Sequence, residues 1–231
     1  MNESTPNAAP RPAPEKYKEL SRRLRAERER SGVSLRALAS RLEISPSALS
    51  QIETGKARPS VSSLYAITSE LGISLDSLFA PADSEIADDQ PRSSSPPTED
   101  KAEASGPVQR AESRNMLELQ SGVHWERLTP SPDSAVDFLF VTYRPGGSSS
   151  GGSELMRHTG REYGIVLEGT LKVTVGFDEH VLGPGDSICF DSTTPHRLYN
   201  DGDVPTRAIW VVIGREGDPR TAGLQSGASD A

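Results

Sequence analysis

Three side chains in the C-terminal half of the chain could bind a metal ion or a small molecule. His158 and Glu162 lie within one short segment, and His196 follows later in the chain. Imidazole nitrogens and carboxylate oxygens are ligands for Fe, Mn, Ni or Zn, and such sets can leave coordination positions open. The same groups also hydrogen-bond to organic molecules. Residue type alone therefore leaves both chemistries open.

The composition favours two compact domains inside the cell. The 231-residue chain has a formal net charge of -8, while residues 1–80 carry about +3 and the remainder about -11. This asymmetry favours DNA binding by the N-terminal part of the chain. Cys189 is the only cysteine, so the chain cannot form an internal disulfide. We find no basic start followed by an apolar run, and no run of roughly 18 apolar residues, so we expect a cytoplasmic location.

Apolar residues at helical spacing extend over residues 17–79 and predict four or five short helices. Ser34, Ser45 and Ser60 are placed to cap three of them, since a serine hydroxyl accepts a backbone N–H of the first turn. Pro46 follows Ser45, an arrangement typical of a helix start. The predicted core positions are Leu20, Leu24, Leu35, Leu38, Leu42, Leu49, Ile52, Leu64, Ile67 and Leu71.

The predicted domains are separated and flanked by segments that are poor in bulky apolar residues. We expect residues 1–14 and 217–231 to be disordered tails and residues 81–114 to be a flexible linker. The two domains then cover residues 15–80 and 115–216. A charged, proline-interrupted linker would join them without fixing their relative orientation.

From Leu117 onward the chain changes to short β-branched and aromatic runs separated by turn residues. Repeated short strands of this kind are typical of a sandwich or a closed barrel. Gly169 with Thr170, and Pro184 with Gly185, predict tight turns between strands. Aromatic residues alternate along the predicted strands, so some of them must point inward and line an apolar pocket.

Residues 34–60, SLRALASRLEISPSALSQIETGKARPS, resemble the Cro-like helix-turn-helix of the XRE family. The resemblance implies a small all-α, lambda-repressor-like domain that binds DNA. In this fold the second helix enters the major groove while the first spans the backbone. The family pattern also pairs Arg28 with Glu53, which we interpret as a structural salt bridge between helices.

The same resemblance implies which residues contact DNA. Gln51 is suited to a bidentate contact with adenine, while Arg36, Lys56 and Arg58 are expected at phosphates. The full predicted set is Arg36, Ser45, Pro46, Ser47, Ser50, Gln51, Lys56 and Arg58. The small residues of this set could equally be plain solvent-facing positions. Because one such helix reads one half-site, we expect a homodimer on a double-stranded operator.

Residues 158–169, HTGREYGIVLEG, and 185–200, GDSICFDSTTPHRLYN, resemble the two motifs of the cupin superfamily. The resemblance implies an all-β double-stranded β-helix, or jelly-roll, barrel with a divalent metal held by His158, Glu162 and His196. Met156 takes the place of the first histidine of the first motif, and thioether sulfur is a poor ligand for hard ions. A metal-free pocket therefore stays open. The expected pocket residues are His158, Glu162, His196, Met156 and Tyr163.

These patterns predict a multidomain protein: an all-α helix-turn-helix domain and an all-β cupin barrel joined by a disordered linker. We interpret it as a sequence-specific transcription regulator whose barrel binds a small-molecule effector, with or without a divalent metal (Fe, Mn, Ni or Zn). The alternative is a metal-dependent cupin enzyme, a dioxygenase or isomerase, with an accessory helical domain. A barrel that serves only for dimerisation is a third interpretation. The absence of a further acid–base constellation favours the regulator, so we expect no catalytic residue.

Overall fold

The computed structural model describes residues 15–79, 106–133 and 135–214. The predicted tails lie outside these residues, and so does the predicted linker up to residue 105. The described end of that linker contains a short 3-10 helix, Ala111–Ser113, directly before the first strand.

Four α-helices and one 3-10 helix form the described part of the N-terminal domain. They are α1 (Glu15–Arg30), α2 (Leu35–Arg41), α3 (Pro46–Glu53), α4 (Val61–Leu71) and the 3-10 helix Leu75–Phe79. The three predicted caps are confirmed: the hydroxyls of Ser34, Ser45 and Ser60 accept the N–H groups of Ala37, Ala48 and Ser63 at 3.2, 3.1 and 3.0 Å. Gly72 ends α4 with a left-handed backbone, φ 63°, which glycine adopts without a steric cost.

The predicted apolar positions form the core of the helical domain. All of them are buried except Leu35 and Leu42, which are partly buried and pack against the same core. Leu75, Leu78 and Phe79 of the 3-10 helix complete it. Within the described ranges, no helix is both long and apolar enough to cross a membrane.

Nine strands in two antiparallel sheets form the C-terminal domain as described. They are β1 (Met116–Glu118), β2 (Val123–Arg127), β3 (Val136–Tyr143), β4 (Arg161–Glu168), β5 (Leu171–Val175), β6 (Asp178–Leu182), β7 (Ser187–Asp191), β8 (His196–Tyr199) and β9 (Thr206–Ile213). One sheet has the order β1-β2-β3-β9-β4-β7 and the other β6-β5-β8. The predicted tight turns are confirmed, with left-handed Gly169 (φ 74°) after β4 and Gly185 (φ 90°) before β7.

Strand alternation sends every second side chain into the space between the sheets. On β3 and β9 the inner positions include Leu139, Val141 and Trp210, all buried. Gly164 on β4 faces Trp210 so closely that a Cβ there would lie 2.0 Å from the indole Cζ3. Only glycine therefore lets the Trp210 ring lie across the interior.

The helical domain packs directly against the barrel. Three polar contacts join residues 58–62 to the barrel: Arg58 Nη2 to Glu118 Oε2 at 2.6 Å, Gln120 N–H to the Pro59 carbonyl at 2.9 Å, and Ser62 N–H to the Ser149 carbonyl at 3.0 Å. From the composition of the linker, we expected that it would not fix the relative orientation of the domains. Direct contacts between the domains fix their orientation in the structure.

Candidate functional site

Helix α3 presents a polar face to solvent at the positions predicted to read bases. Leu49 and Ile52 point into the domain core. Ser47 and Gln51, one turn apart, are exposed, and Ser50 is half-buried. Because its apolar residues face the core, α3 keeps its polar side available to a DNA groove.

The remaining predicted DNA contacts lie at the two ends of α3 and on α2. Arg36 on α2 and Lys56 after α3 are exposed, as are Ser45 and Pro46 at the start of α3. The Ser45 hydroxyl already caps α3. It would therefore meet DNA only through its remaining hydrogen-bonding capacity.

Arg58 differs from the other predicted phosphate contacts because it is paired within the protein. Its guanidinium lies 2.6 Å from the Glu118 carboxylate of strand β1, and both side chains are about one-third exposed. Glu118 also lies 3.7 Å from His124 Nε2. The residue predicted to bind a phosphate therefore binds a carboxylate of the barrel domain.

The predicted salt bridge between Arg28 and Glu53 is confirmed. Arg28 Nε and Nη2 donate to the two carboxylate oxygens of Glu53 at 2.6 and 2.9 Å, and Nη1 donates to the Val33 carbonyl at 3.0 Å. Both partners are buried. The pair holds α1 against α3, and because it is buried it is not exposed for contact with DNA.

Inside the barrel, three elements bring the predicted ligands together. His158 lies in the loop before β4, Glu162 is the second residue of β4, and His196 begins β8. Glu162 Oε1 lies 3.0 Å from His158 Nε2 and 3.1 Å from His196 Nε2. All three side chains are at least nine-tenths buried. The fold thus brings the three predicted residues together, and they are grouped closely enough to hold one metal ion.

The hydrogen-bond partners of the two imidazoles fix how their nitrogens are used. His158 Nδ1 lies 2.9 Å from the Thr159 carbonyl, and His196 Nδ1 lies 2.9 Å from the Thr194 carbonyl. A carbonyl only accepts, so Nδ1 carries the proton on each ring. Both Nε2 atoms then point a lone pair at Glu162 Oε1, and none of these three atoms hydrogen-bonds to a described residue. Three buried acceptors without a donor fit a cation at their shared point.

Electrostatics keeps the carboxylate of this cluster ionised. Burial raises the pKa of Glu162. The imidazoles of His158 and His196 lower the pKa by more than burial raises it, so it lies well below its usual range. Burial lowers the pKa of His196, while the Glu162 carboxylate raises it, with a net increase. The cluster therefore favours positive charge beside Glu162, supplied by either a proton or a metal ion.

Trp210 fixes the second oxygen of the carboxylate. Its indole Nε1–H donates to Glu162 Oε2 at 2.6 Å, and both residues are buried. This leaves Oε1 to face the imidazoles. An indole that orients a ligating carboxylate supports a metal site from its outer shell.

The site opens into a small, mainly apolar cavity. Its walls come from both domains and are Val61, Tyr65, Trp125, Leu139, Val141, Tyr143, Ser149, Met156, Glu162, His196, Leu198 and Trp210. Met156, predicted as a pocket residue, lines this cavity and pairs with His196 through two backbone hydrogen bonds of 2.8 Å. Val61 and Tyr65 were missed because their helical spacing predicts only a core role. No pattern in the sequence links them to the barrel.

Tyr163, predicted as a pocket residue, lies on the outer face of the barrel. Glu162 points inward, so its neighbour on the same strand must point outward, and Tyr163 is 40% exposed. There it lines a shallow apolar groove with Ile165, Ile188 and Cys189 among others. The prediction was wrong because Tyr163 follows the inward-facing Glu162 on the same strand and so lies on the opposite face.

Comparison with known proteins identifies both domains. Residues 24–78 match the family model described as Helix-turn-helix, and residues 139–212 match the one described as Cupin domain. The HTH-type transcriptional regulator PuuR of Escherichia coli (strain K12) is 28% identical over 181 residues, which cover 78% of this chain and 86% of that protein. PuuR of Shigella flexneri gives the same figures. Both resemblances found in the sequence are thereby confirmed.

A solved structure with a similar fold spans most of the chain. The HTH_3 family transcriptional regulator from Vibrio cholerae has a TM-score of 0.57 and 22% identity, over 86% of this chain and 96% of that chain. At this identity the likeness supports the fold alone.

Proposed function

We propose that this chain, which carries an XRE-type helix-turn-helix domain followed by a cupin domain and is homologous to PuuR, is a sequence-specific transcription regulator controlled by a small molecule. The observation that carries the proposal is the pairing of two sites on one chain. Helix α3 exposes Ser47 and Gln51, while the barrel holds a buried ligand cluster. The relative PuuR, described as a transcriptional regulator, aligns across most of the chain.

The proposal includes a divalent metal in the barrel. His158, Glu162 and His196 would hold it, and their buried acceptor atoms fit that role. A metal with three protein ligands keeps positions open to which an effector can bind. Around it, Trp210 orients the carboxylate, and the backbone carbonyls of Thr159 and Thr194 hold the imidazoles in the tautomer that ligation requires.

We further propose that the regulator works as a homodimer on a two-half-site operator. One recognition helix contacts too few base pairs for adequate affinity, and half-sites one helical turn apart match a two-fold protein. The effector can act only through different affinities for DNA-competent and DNA-incompetent states. Such coupling amounts to about 1–3 kcal/mol in typical regulators.

Titration of promoter DNA with purified protein tests the DNA-binding proposal. At physiological salt, the full chain is expected to bind its own promoter region more tightly than random DNA of equal length. Gln51→Ala should reduce that preference by about 1–3 kcal/mol, the usual value of one bidentate base contact. Gln109→Ala, before the first strand of the barrel, is the matched control. Equal binding of promoter and random DNA by the unaltered chain would defeat the proposal.

A phosphate contact should behave differently from a base contact. Lys56→Ala is expected to weaken promoter and random DNA alike, because phosphates carry no sequence information. It should also reduce the slope of log affinity against log salt by about 1. A change confined to promoter DNA would place Lys56 at a base instead.

One observation favours the enzyme alternative. Two histidines and one carboxylate around open positions also characterise oxygen-activating iron centres. Against it stands the similarity to PuuR, which is described as a transcriptional regulator and aligns over 78% of this chain. Oxygen consumption by the iron-loaded chain across candidate substrates discriminates between the two functions. Sustained turnover would favour the enzyme.

A further inference from the structure

Helix α4 of the DNA-binding domain forms part of the wall of the barrel cavity. Val61 and Tyr65, one turn apart on α4, are walls of the cavity that also contains Glu162 and His196. Both are almost fully buried, at 3% and 5% exposure. The cavity is therefore composed of both domains.

Tyr65 of α4 contacts one residue of the buried cluster directly. Its ring stacks on the His158 imidazole with 4.1 Å between centroids and an interplanar angle of 11°. The edge of Trp125 meets the same ring at 5.7 Å and 64°. Stacked and edge-to-face contacts are the favoured arrangements of aromatic rings. Tyr65 thus occupies a formed aromatic slot directly above one of the proposed ligands.

Polar contacts hold α4 in this position from its first turn. The Ser62 N–H has no partner within its own helix, as for all first-turn donors, and donates to the Ser149 carbonyl at 3.0 Å. Just before the helix, the Pro59 carbonyl accepts from Gln120 N–H, and Arg58 pairs with Glu118. These contacts hold the same segment of the chain that carries Tyr65.

The size of the cavity limits which molecules can occupy it while α4 is docked. About 20 Å³ is open inside it, and a single water needs roughly 10–15 Å³ on this measure. About one water-sized group fits beside the Tyr65 ring. An organic molecule that contacts the cluster does not fit unless the ring leaves.

We propose that Tyr65 is an internal competitor for the effector: a small molecule that stacks a flat group on His158 takes the place of the Tyr65 ring and undocks helix α4. The inference rests on the proposed function for the identity of the barrel as an effector site. Undocking separates Arg58 from Glu118, and Arg58 is one of the predicted phosphate contacts. Occupation of the barrel is thereby linked to the DNA-binding domain through one segment, residues 58–65.

The tyrosine side-chain analogue p-cresol provides a direct test on the full chain. Tyr65→Ala vacates the slot, whereas Tyr65→Phe keeps the ring and is the matched control. By isothermal titration calorimetry, p-cresol is expected to bind the alanine variant at least tenfold more tightly than the unaltered chain or the phenylalanine variant. Equal affinities, or no binding to a cooperatively folded alanine variant, would overturn the proposal.

Docking itself is measured by a disulfide across the domain contact. The hydrogen bond between Ser62 and Ser149 brings their Cα atoms to within roughly the 4–7 Å that a disulfide spans, and Cys189→Ser removes the native thiol. Ser62→Cys with Ser149→Cys should oxidise rapidly in this background. Adding Tyr65→Ala should slow oxidation at least tenfold. An unchanged rate would show that Tyr65 does not hold the domains together.

Two arrangements keep the test decisive. If Tyr65→Ala does not unfold cooperatively, Tyr65→Leu replaces it in the disulfide assay, because leucine preserves apolar volume without stacking. Neither readout involves DNA. If the chain does not prefer its promoter but gives the expected results in both assays, the proposed function is wrong and the role of Tyr65 in docking still stands.

Discussion

At the residue scale, three hydrogen-bond acceptor atoms of the buried cluster face one another. Two imidazole lone pairs face one carboxylate oxygen, because both Nδ1 atoms are committed to backbone carbonyls. Such an arrangement is unfavourable until a cation neutralises it. Although Met156 stands where a first histidine was expected, the remaining three residues are grouped closely enough to hold a metal ion.

Removal of a ligand and removal of its support should have graded effects on metal affinity. Glu162→Gln is expected to abolish most Ni²⁺ binding, since it removes the anionic ligand. Trp210→Phe deletes only the indole N–H that holds Glu162 Oε2, so a loss of roughly 10–100-fold is expected. Calorimetric titration of the metal-stripped chain measures both.

The control for this series is His180→Ala. His180 is an exposed histidine on β6, outside the cluster, and its loss should leave Ni²⁺ affinity unchanged. The metal proposal fails if the unaltered chain binds no Ni²⁺, or if Glu162→Gln and His180→Ala retain equal affinity.

The sequence identified His158, Glu162 and His196 through motif resemblance, and the fold brings them together. It could not identify Trp210 or Tyr65 as parts of the site. The role of Trp210 depends on Gly164 across the strand pair, where any side chain would collide with the indole. Such a contact joins residues far apart in the chain, and no local pattern encodes it.

At the element scale, one buried ion pair ties the first helix to the recognition helix. Arg28 and Glu53 form a two-point contact between α1 and α3, and the remaining guanidinium nitrogen caps the Val33 carbonyl. Because both side chains are buried, each charge is stabilised by its hydrogen bonds to the other. The orientation of α3 relative to α1 therefore depends on this pair.

Breaking the pair should destabilise the helical domain strongly. Arg28→Ala leaves the Glu53 carboxylate buried without its partner, and such changes cost roughly 3–5 kcal/mol. Urea denaturation followed by circular dichroism measures the loss. Arg25→Ala breaks the exposed Arg25–Glu29 pair on the same helix and should leave the transition nearly unchanged. Similar transitions for the two variants would show that the buried pair contributes little.

Helix boundaries were predictable because their signals are local. Serine caps and the proline after Ser45 specify where α2, α3 and α4 begin, and each hydroxyl accepts the expected N–H. The left-handed Glu43 (φ 55°) in the turn before α3 was not predictable, because non-glycine residues rarely adopt that conformation. Here the fold of the turn overrides the preference of the residue.

At the scale of the whole molecule, the two domains form one unit with a shared cavity. A separate DNA reader and sensor would need a signal carried through the linker. Direct docking at residues 58–65 removes that need, because the wall of the cavity belongs to the DNA-binding domain. Sequence composition indicated two domains but contained no information on their contact surface, since Tyr65 satisfies the helical core pattern equally well.

The proposed role of α3 is best measured by selection from a random double-stranded DNA library with the purified full chain. One inverted repeat should be enriched, with half-site centres roughly 10 base pairs apart, because two copies of α3 must face the same side of the duplex. Recovery of fragments with no common sequence would contradict the assignment of α3 as a recognition helix and, with it, the regulator.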